Sequence, residues 1–453
     1  MQSVEERGAA GKALRKNVPR SSQADFLRDP SLDPVDLLLS QEKGRIRSLI
    51  PVRRQRMSES AFAFYRAGAL LMATDLASTP RTGLLVQCSG DAHVSNFGWY
   101  GSPERDLVFD ANDFDETMLA AWEWDLKRLV ASFVIASQDN GFKKKHQRSA
   151  ASSASTAYRD AMNRFASMSV LDTWYAHVNA DDMLKQLESE GRSKAQHRAK
   201  KAVGKASSKD SSHVLGKIGE KVNGHWRIAD DPPFVVPIRS MDFPEEFKNA
   251  DVVVQSVVGR YRDSVRPAIR SLIAKFEVKD VALKVVGVGS VGTRCFIALL
   301  EGNTPDDVLF LQIKQAESSV LENEFGMSVQ PYHGQRVVEG QRLMQASSDI
   351  MLGWTEAATG HEYYVRQLKD MKASPKLENF DPDDMTKYAR VCGAVLAHAH
   401  ARSGDPVMIA GYIGSGDVFA DAVAEFGVAY AAQNAEDYRA FLDRMKEDPP
   451  IVT

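Results

Sequence analysis

Around residue 280 the hydrophobic pattern of the chain changes from helical spacing to alternation. Residues 281–316 (VALKVVGVGSVGTRCFIALLEGNTPDDVLFLQIKQA) predict strand, glycine loop, strand, turn and strand, and DIMLGW and EYYVRQL predict two further strands. Helices are predicted at 57–77, 121–138 and 332–345, and again from 383 onward. We therefore expect an α+β fold with two lobes, one built on an antiparallel sheet and one mainly helical.

The composition is that of a soluble globular protein. Hydrophobic residues make up 43% and charged residues 26%, and the net charge of −3 gives no reason to expect a nucleic-acid partner. Apolar residues nowhere form the run of about eighteen that a membrane span requires. The three cysteines, Cys88, Cys295 and Cys392, are odd in number and far apart, which predicts buried, reduced thiols. We expect a cytoplasmic protein without a membrane partner, and the sequence does not indicate its oligomeric state.

The glycine loop contains a G-x-G-x-x-G motif formed by Gly287, Gly289 and Gly292. A dinucleotide-binding fold would continue into a helix, but here an apolar strand follows, which predicts a hairpin flap over nucleotide phosphates. The next strand carries Lys314 among apolar residues, where a lysine needs an anionic partner. The predicted partners are phosphate oxygens and Glu339 of the following helix, with Glu324 behind it. The alternative is an edge-strand lysine that faces solvent.

The stretch CSGDAHVSNFGWY, residues 88–100, carries a second set of polar side chains. Phosphoryl transfer needs a carboxylate that accepts the proton of the acceptor hydroxyl, and oxygen ligands that hold magnesium. In this loop Asp91 is the candidate base and Asn96 a candidate metal ligand. His93 is predicted to orient the loop through a hydrogen bond. The alternative is an ordinary polar loop, in which such residues cap and turn the chain.

A second metal ligand is predicted in the acidic segment that follows, LVFDANDFDE at residues 107–116. Asp110 is the favoured candidate because it ends the predicted strand, Asp113 is the close alternative, and Asp115 also lies in range. Together with the GDAHVSN loop, this segment supplies the carboxylates and the amide that a magnesium site in a phosphotransferase requires.

The order G-D-x-H-x-x-N and then an acid-ended strand resembles the aminoglycoside phosphotransferase and choline kinase branch of the protein kinase-like superfamily. The resemblance implies a two-lobed fold in which Asp91 is the base, Asn96 and a later aspartate hold Mg²⁺, and the flap and Lys314 bind ATP. The phrases GDAHVSNFG, FDANDFDET, WEWDLKRL, GQRVVEGQRLMQ and AHARSGD resemble the bacterial family named domain of unknown function 2252, over roughly residues 45–445. That resemblance implies no known substrate.

Two features depart from the kinase-like pattern. Ser89 stands where these enzymes usually have a histidine, and the loop and metal residues precede the flap and lysine instead of following them. A circular permutation reconciles the order, and the helix ending in AHAHARSGD would then lie beside the catalytic loop. An unpermuted arrangement with Asp405 as base fails, because Ala410 stands where the asparagine is required.

The expected organisation follows from the permutation. Residues 1–45 are predicted as a loosely ordered arm, 46–140 as the catalytic-loop part of the helical lobe, and 141–275 as a helical insert. Residues 276–372 are predicted as the nucleotide-binding sheet lobe and 373–453 as the C-terminal part of the helical lobe. The basic segment Arg192–Lys221 lacks interleaved aromatic residues, so a solvated helix and loop is predicted there.

The predicted function is an ATP- and Mg²⁺-dependent phosphotransferase whose acceptor is an unknown small molecule or protein. The alternatives are a nucleotide-binding pseudokinase, a nucleotidyl transferase, and a metal-dependent phosphohydrolase that uses D-x-H and the H-x-H of His398 and His400. Those two histidines are predicted to pack the helix instead. Phe64, Tyr65 and Arg66 could help form the acceptor pocket, or could be core aromatics with one surface arginine.

Overall fold

A computed structural model describes residues 2–180, 204, 211–240, 250–368 and 373–447. They form a mixed α+β structure, as predicted, in which the paired strands are antiparallel. The strands are β1 Leu85–Cys88, β2 Phe97–Gly101, β3 Leu107–Ala111, β4 Met118–Ala121, β5 Val178–Asn179, β6 Gly219–Val222, β7 His225–Ile228, β8 Val235–Pro237, β9 Glu277–Lys284, β10 Cys295–Glu301, β11 Val308–Ala316, β12 Gly353–Glu356 and β13 Glu362–Gln367.

The helices are α1 Val4–Ala13, α2 Pro34–Ser40, α3 Ile50–Met57, α4 Ala61–Ala67, α5 Ala69–Leu76, α6 Trp122–Asp139, α7 Lys144–Ala166, α8 Val170–Tyr175, α9 Ser211–Ile218, α10 Ala250–Tyr261, α11 Pro267–Ile273, α12 Glu322–Phe325, α13 His333–Met344, α14 Pro382–Ser403, α15 Pro406–Ile413 and α16 Val418–Glu447. Among the described residues, no single helix is long and apolar enough to cross a membrane; only α15 and α16 taken together, across a bend of 85°, meet the criteria of length and composition.

The largest sheet has six strands in the order β12-β13-β11-β10-β9-β8. Its apolar strands are buried on both faces, because Phe296 and Leu311 pack towards α10 and α11 while Ile297 and Phe310 pack into a separate cluster. The predicted arrangement of strand, glycine loop and strand is confirmed, since residues 285–294 connect β9 to its antiparallel neighbour β10. The strands predicted at EYYVRQL and DIMLGW are also present, although β12 begins only at Gly353.

Helix α6 lies at the centre of the helical layer, where α7, α14 and α16 pack around it. All of its residues from Trp122 to Ser137 are buried. Trp122 stacks on Tyr158 of α7 with ring centroids 5.7 Å apart. Burial of a charged side chain is costly unless it has a polar partner, and the segment WEWDLKR buries four charged side chains. They are Glu123, Asp125, Lys127 and Arg128.

Two predicted elements differ from the structure. The N-terminal arm is not loosely ordered: α1 packs against α15, where Gly11 approaches the backbone of Met408 and Arg7 pairs with Asp405. The helix predicted at 57–77 is interrupted at Gly68, so that α4 and α5 are separate helices. Ser60 caps α4 by accepting a hydrogen bond from the amide of Ala63. The apolar spacing was right, but tertiary contacts determined the ends of these helices.

Other predictions have mixed outcomes. Cys88, Cys295 and Cys392 are buried free thiols, as predicted. Helix α7, which lies within the segment predicted as an insert, packs directly on α6 and α14 in the helical layer. Most of the basic segment Arg192–Lys221 lies outside the described residues.

Candidate functional site

A cavity of about 480 Å³ lies between the glycine loop and the chain that follows β3. We call residues 284–294, 312–314 and 366–368 the sheet wall, and residues 88–116 the acidic wall. Within the acidic wall, residues 100–103, 105, 112 and 113 line the cavity itself. The cations that line the cavity are Arg105, Lys284, Lys314 and Arg366, against the carboxylates Asp113 and Asp349. This excess of positive charge suits an anionic ligand, and the volume is in the ordinary range for small-molecule sites.

The GDAHVSN loop is held in place by α6. The carboxylate of Asp125 accepts hydrogen bonds from the amides of Ser89, at 2.6 Å, and Gly90, at 2.9 Å. Gly90 has a φ of 76°, and a Cβ there would lie 2.5 Å from the carbonyl oxygen of Glu116, so a larger residue would displace the loop. Ser89 thus anchors the loop through its backbone, although the histidine of the kinase-like pattern is missing.

A histidine from another part of the chain completes this anchor. His400 of α14 places its Nε2 3.3 Å from Asp125, and its Nδ1 lies 2.8 Å from the hydroxyl of Tyr158. His398 instead contacts the carbonyl oxygen of Thr173, at 2.8 Å. The two histidines therefore face apart and pack the helix, as predicted.

The buried group of Cys88, Asp125 and His400 has spacing that would suit a metal ion. Both oxygens of Asp125 already accept backbone hydrogen bonds, and His400 is held by Tyr158. Since these groups satisfy one another without an ion, the cluster is explained as the anchor of the GDAHVSN loop.

Asp91 lies on the acidic wall with its side chain 21% exposed. Its Oδ1 accepts a hydrogen bond from Nε of Arg128, at 2.6 Å, and Nη2 of the same guanidinium also pairs with it. Its Oδ2 makes longer contacts, at 3.5 Å from the side-chain Nδ2 of Asn96 and 3.7 Å from Nε2 of His93. Burial raises the pKa of Asp91 to about 6, although Arg128 opposes the rise. One carboxylate oxygen is therefore fixed, and the other is available to accept a proton.

His93 is buried, and its burial lowers its pKa well below the ordinary value, so the ring is neutral. The predicted hydrogen bond that would orient the loop is made by its backbone amide, which donates to the carbonyl oxygen of Asp91 at 2.8 Å. The ring Nδ1 has no hydrogen-bond partner among the described residues. The ring thus contributes packing against Phe62, with centroids 6.3 Å apart.

Asn96 lies beside the acidic segment. The backbone amide of Asn112 donates to the carbonyl oxygen of Asn96 at 2.9 Å, which places Asn96 opposite Asn112, the residue before Asp113. The side-chain Nδ2 of Asn96 donates to the carbonyl oxygen of Asp91, at 2.9 Å. The nitrogen of this amide is therefore engaged, and its oxygen is the atom that could bind a metal.

The structure separates the two candidate metal ligands of the acidic segment. Asp110 does not end the strand: it lies within β3, only 4% exposed, and its oxygens accept hydrogen bonds from the amides of Ala111, at 2.8 Å, and Ala346, at 3.1 Å. Burial raises the pKa of Asp110 to about 7. Asp113 lines the cavity, and its buried Oδ1 has no hydrogen-bond partner among the described residues. The geometry therefore favours Asp113, the alternative to Asp110, as the metal ligand.

Lys314 lies on β11, between β10 and β13, and is 3% exposed, so the edge-strand alternative is wrong. Its Nζ lies 2.5 Å from Oδ2 of Asp115 and 3.8 Å from Oδ1 of Asp113. Burial alone would lower the pKa of Lys314, but these two carboxylates raise it well above its ordinary value. Asp115 also accepts hydrogen bonds from Tyr364, at 2.6 Å, and from Ser290 of the glycine loop, at 3.3 Å.

The predicted pair of Lys314 and Glu339 is not formed. Glu339 is exposed and accepts hydrogen bonds from Gln335 and Gln330. Helix α13 turns Arg336 inwards instead, where its guanidinium donates to the carbonyl oxygens of Asp115 and Thr117, at 2.8 and 2.6 Å. Glu324, the other predicted partner, pairs with Arg81.

This orientation of α13 has a steric cause. Gly340 lies so close to Thr117 that a Cβ would clash with it, and this contact fixes which face of the helix meets the acidic wall. Glu339, the residue before Gly340, is thereby left on the exposed side. Asp115 occupies the position beside Lys314 for which Glu339 was predicted.

Some residues of the site were not singled out from the sequence. Arg128 pairs with Asp91, and Tyr364 donates a hydrogen bond to Asp115. The available signal was the presence of four charged residues in the otherwise apolar helix at WEWDLKR. Phe64 and Tyr65 are core aromatics, in agreement with the simpler of the two interpretations.

One family matches the chain over residues 45–444, and it is described as "Uncharacterized protein conserved in bacteria (DUF2252)". The chain belongs to this family. The comparison with curated proteins found no match, and neither did the comparison with solved structures. The match to DUF2252 includes the acidic wall, the sheet wall and the helices that support them, and the family description assigns no activity.

Proposed function

We propose that this DUF2252 protein is an ATP- and Mg²⁺-dependent phosphotransferase with a kinase-like, circularly permuted fold. The observation that carries the proposal is that Lys314 of the sheet wall and Asp113 of the acidic wall line one cavity, 3.8 Å apart, together with Gly287 and Ser290 of the glycine loop. A lysine, a glycine loop and a metal-binding carboxylate are the groups that hold the phosphates of a nucleotide during phosphoryl transfer.

Contacts between an early and a late segment of the chain support the permutation. The amide of Gln87 in β1 donates to Oγ of Ser403 at the end of α14, at 3.1 Å. Gly404 packs against Val86 of the same strand. The helix that comes late in the chain therefore lies beside the strand that leads into the GDAHVSN loop, which is the neighbourhood that the unpermuted order would give.

The residues present fit a magnesium nucleotide. Asp113 contributes a buried carboxylate oxygen without a hydrogen-bond partner among the described residues, and Asn96 contributes an amide oxygen from the turn that precedes β2. Oxygen donors of this kind suit Mg²⁺, which usually takes one or two protein carboxylates together with phosphate oxygens. When bound, the ion would neutralise negative charge on those phosphates.

Asp91 is the proposed general base. Arg128 fixes one oxygen of the carboxylate, and the other remains able to accept the proton of an acceptor hydroxyl. With a pKa of about 6, Asp91 is largely ionised at neutral pH and is a stronger base than an exposed aspartate. Anchoring of the preceding amides by Asp125 keeps this carboxylate in place.

A thermal-shift titration with ATP, with and without Mg²⁺, tests the proposal. Because a ligand that binds only the folded state raises its stability, we expect Mg²⁺-dependent stabilisation of the wild type. Asp113→Ala should lose this shift. Asp110→Ala is the matched control: it should lower the starting Tm, since Asp110 holds two backbone amides, yet keep the shift.

The outcomes separate the alternatives. No stabilisation of the wild type by any nucleotide would overturn the proposal. Loss of the shift in Asp110→Ala but not in Asp113→Ala would show that Asp110, and not Asp113, is the metal ligand. Incubation of candidate small-molecule and protein acceptors with ATP labelled at the γ- or the α-phosphate then distinguishes phosphoryl from nucleotidyl transfer. Nucleotide binding without transfer of either label would indicate a pseudokinase.

A further inference from the structure

Arg66, at the end of α4, lies against the glycine loop. Its Nη2 is 3.7 Å from the position that a Cβ would occupy at Gly287, and its carbonyl oxygen is 3.4 Å from the corresponding position at Gly289. Helix α4 packs against this loop. In the neighbouring helix, Nη1 of Arg56 donates to the carbonyl oxygen of Val286 at 2.6 Å. The loop is thus lined by two arginines with different environments.

Four charged groups surround Arg66: Asp91 and Asp113 of the acidic wall, and Arg56 and Glu59 from the segment before α4. The two carboxylates that most strongly favour its positive charge are those of Asp91 and Asp113, the proposed base and the proposed metal ligand. Its guanidinium therefore lies beside the glycine loop and is stabilised by the charge of the two carboxylates between which a transferred group would pass. Arg66 was considered from the sequence only as part of an acceptor pocket or as a surface residue.

The Arg66 side chain, unlike those of Arg128 and Lys314, has no bonded partner among the described residues. Arg128 is paired with Asp91 and Lys314 with Asp115. Among the residues that the structure describes, none forms a hydrogen bond or an ion pair with the Arg66 side chain, and its Nε is buried without a partner. A buried donor without an acceptor is costly, and a guanidinium is well shaped to bind two phosphate oxygens at once.

We propose that Arg66 binds the terminal phosphate of a nucleoside triphosphate, so that the site selects triphosphates over diphosphates. This inference rests on the proposed function, because it requires a nucleotide between the two walls. The β-phosphate is left to Lys314 and the glycine loop, while the terminal phosphate lies nearest to Asp91 and Asp113. Arg66 would then stabilise the negative charge of the group that is transferred.

A purely structural role makes a different prediction. If Arg66 served only to offset the negative charge of Asp91 and Asp113, its removal would weaken all nucleotides alike or affect only the stability of the fold. Selective loss of ATP relative to ADP is specific to contact with the terminal phosphate. The affinity ratio of the two nucleotides is therefore the informative measurement.

Isothermal titration with ATP and with ADP, both with Mg²⁺, tests the inference in the wild type, Arg66→Met and Arg56→Met. Arg56→Met is the matched control, because it removes an equal charge beside the same loop. We expect Arg66→Met to weaken ATP roughly 10- to 100-fold, the effect of losing charge-assisted hydrogen bonds, and to leave ADP unchanged within error. Arg56→Met should leave the ratio of the two affinities unchanged.

A second variant covers the case in which Arg66→Met does not fold. Arg66→Lys keeps the charge but loses the planar fork, so it should show a smaller loss that again affects ATP only. Equal weakening of ATP and ADP, or no weakening, in whichever variant folds would overturn the role of Arg66 and leave the phosphotransferase proposal intact. Absence of nucleotide binding by the wild type would instead overturn the proposed function, and this inference with it.

Discussion

The two walls of the cavity are built in opposite ways. In the sheet wall, Lys314 lies among apolar neighbours, and its carboxylate partner, Asp115, comes from the other wall. In the acidic wall, charged groups are held from behind: Arg128 pairs with Asp91, and Asp125 binds the loop amides. Lys314 thus depends on a carboxylate from the opposite wall, whereas Asp91 and its loop are held by side chains of α6. Under the proposed function, the sheet wall would bind the phosphates and the acidic wall would carry out the chemistry.

The largest effect should follow from Asp91→Asn. Because this change removes the proposed base and keeps the shape of the side chain, transfer should fall by roughly 10²- to 10⁴-fold while ATP affinity is retained. Turnover of labelled ATP and a binding titration on the same preparation measure the two properties. If both fell together in a folded protein, the separation between a binding wall and a chemical wall would be wrong.

Arg128→Met is the matched control for that experiment. It keeps the carboxylate but removes the cation that holds the pKa of Asp91 down, so this pKa should rise above about 6. The base would then be protonated over a wider range, and the acid limb of the pH–rate profile should move to higher pH. Activity of Arg128→Met should thus recover at alkaline pH, whereas activity of Asp91→Asn should not recover at any pH.

A smaller effect is expected where the two walls meet. Asp115→Asn leaves the buried Lys314 with only Asp113 as a charged partner, at 3.8 Å, and leaves a single acceptor oxygen for Lys314 and Tyr364, which bind separate oxygens in the wild type. Breaking a buried ion pair costs about 3 kcal/mol in the free energy of unfolding, and ATP affinity should fall because Lys314 is no longer oriented. Urea unfolding and an ATP titration measure the two losses.

Glu339→Gln is the control for the ion pair, because Glu339 is exposed and does not contact Lys314. It should change the free energy of unfolding by less than about 0.5 kcal/mol and leave ATP affinity unchanged. A larger loss of ATP affinity in Glu339→Gln than in Asp115→Asn would show that Lys314 changes partner when nucleotide binds. The ion pair of Lys314 and Asp115 would then exist only in the ligand-free state.

The smallest effect concerns Asp110, which binds two backbone amides in the acidic wall but does not line the cavity. Its pKa is about 7 in the folded protein and about 3.9 in an unfolded chain, so the folded state favours the protonated form. The free energy of unfolding should therefore fall as pH rises from about 4 to 7 and then level off. Asp110→Asn removes this contribution.

Urea unfolding at pH 5 and pH 8 measures that difference. Between these values, the wild type should lose roughly 2 kcal/mol more stability than Asp110→Asn. Glu339→Gln provides a control with an exposed carboxylate and should follow the wild type. Parallel curves for the wild type and Asp110→Asn would mean that Asp110 is not desolvated in the folded protein.

Local sequence determined the elements that present the site. Alternating apolar residues specify β9, β10 and β11, and the G-x-G-x-x-G motif followed by a strand specifies the hairpin. The spacing of apolar residues specifies α6 and α13. The GDAHVSN loop and the acidic segment identify the candidate catalytic and metal-binding side chains, because their types and spacing suit phosphoryl transfer. These features depend on residues close together in the chain.

Tertiary structure alone decided which charged groups meet. Asp115 reaches Lys314 across 199 positions of sequence, and His400 reaches Asp125 across 275. The close contact of Gly340 with Thr117 turns Glu339 outwards, and the backbone amide of Ala346 engages Asp110. Periodicity specifies the apolar face of an element but not which side chain from a distant segment will lie opposite it. Long-range packing supplied that information, and in a low-dielectric interior it decides which charges are paired and which remain for a ligand.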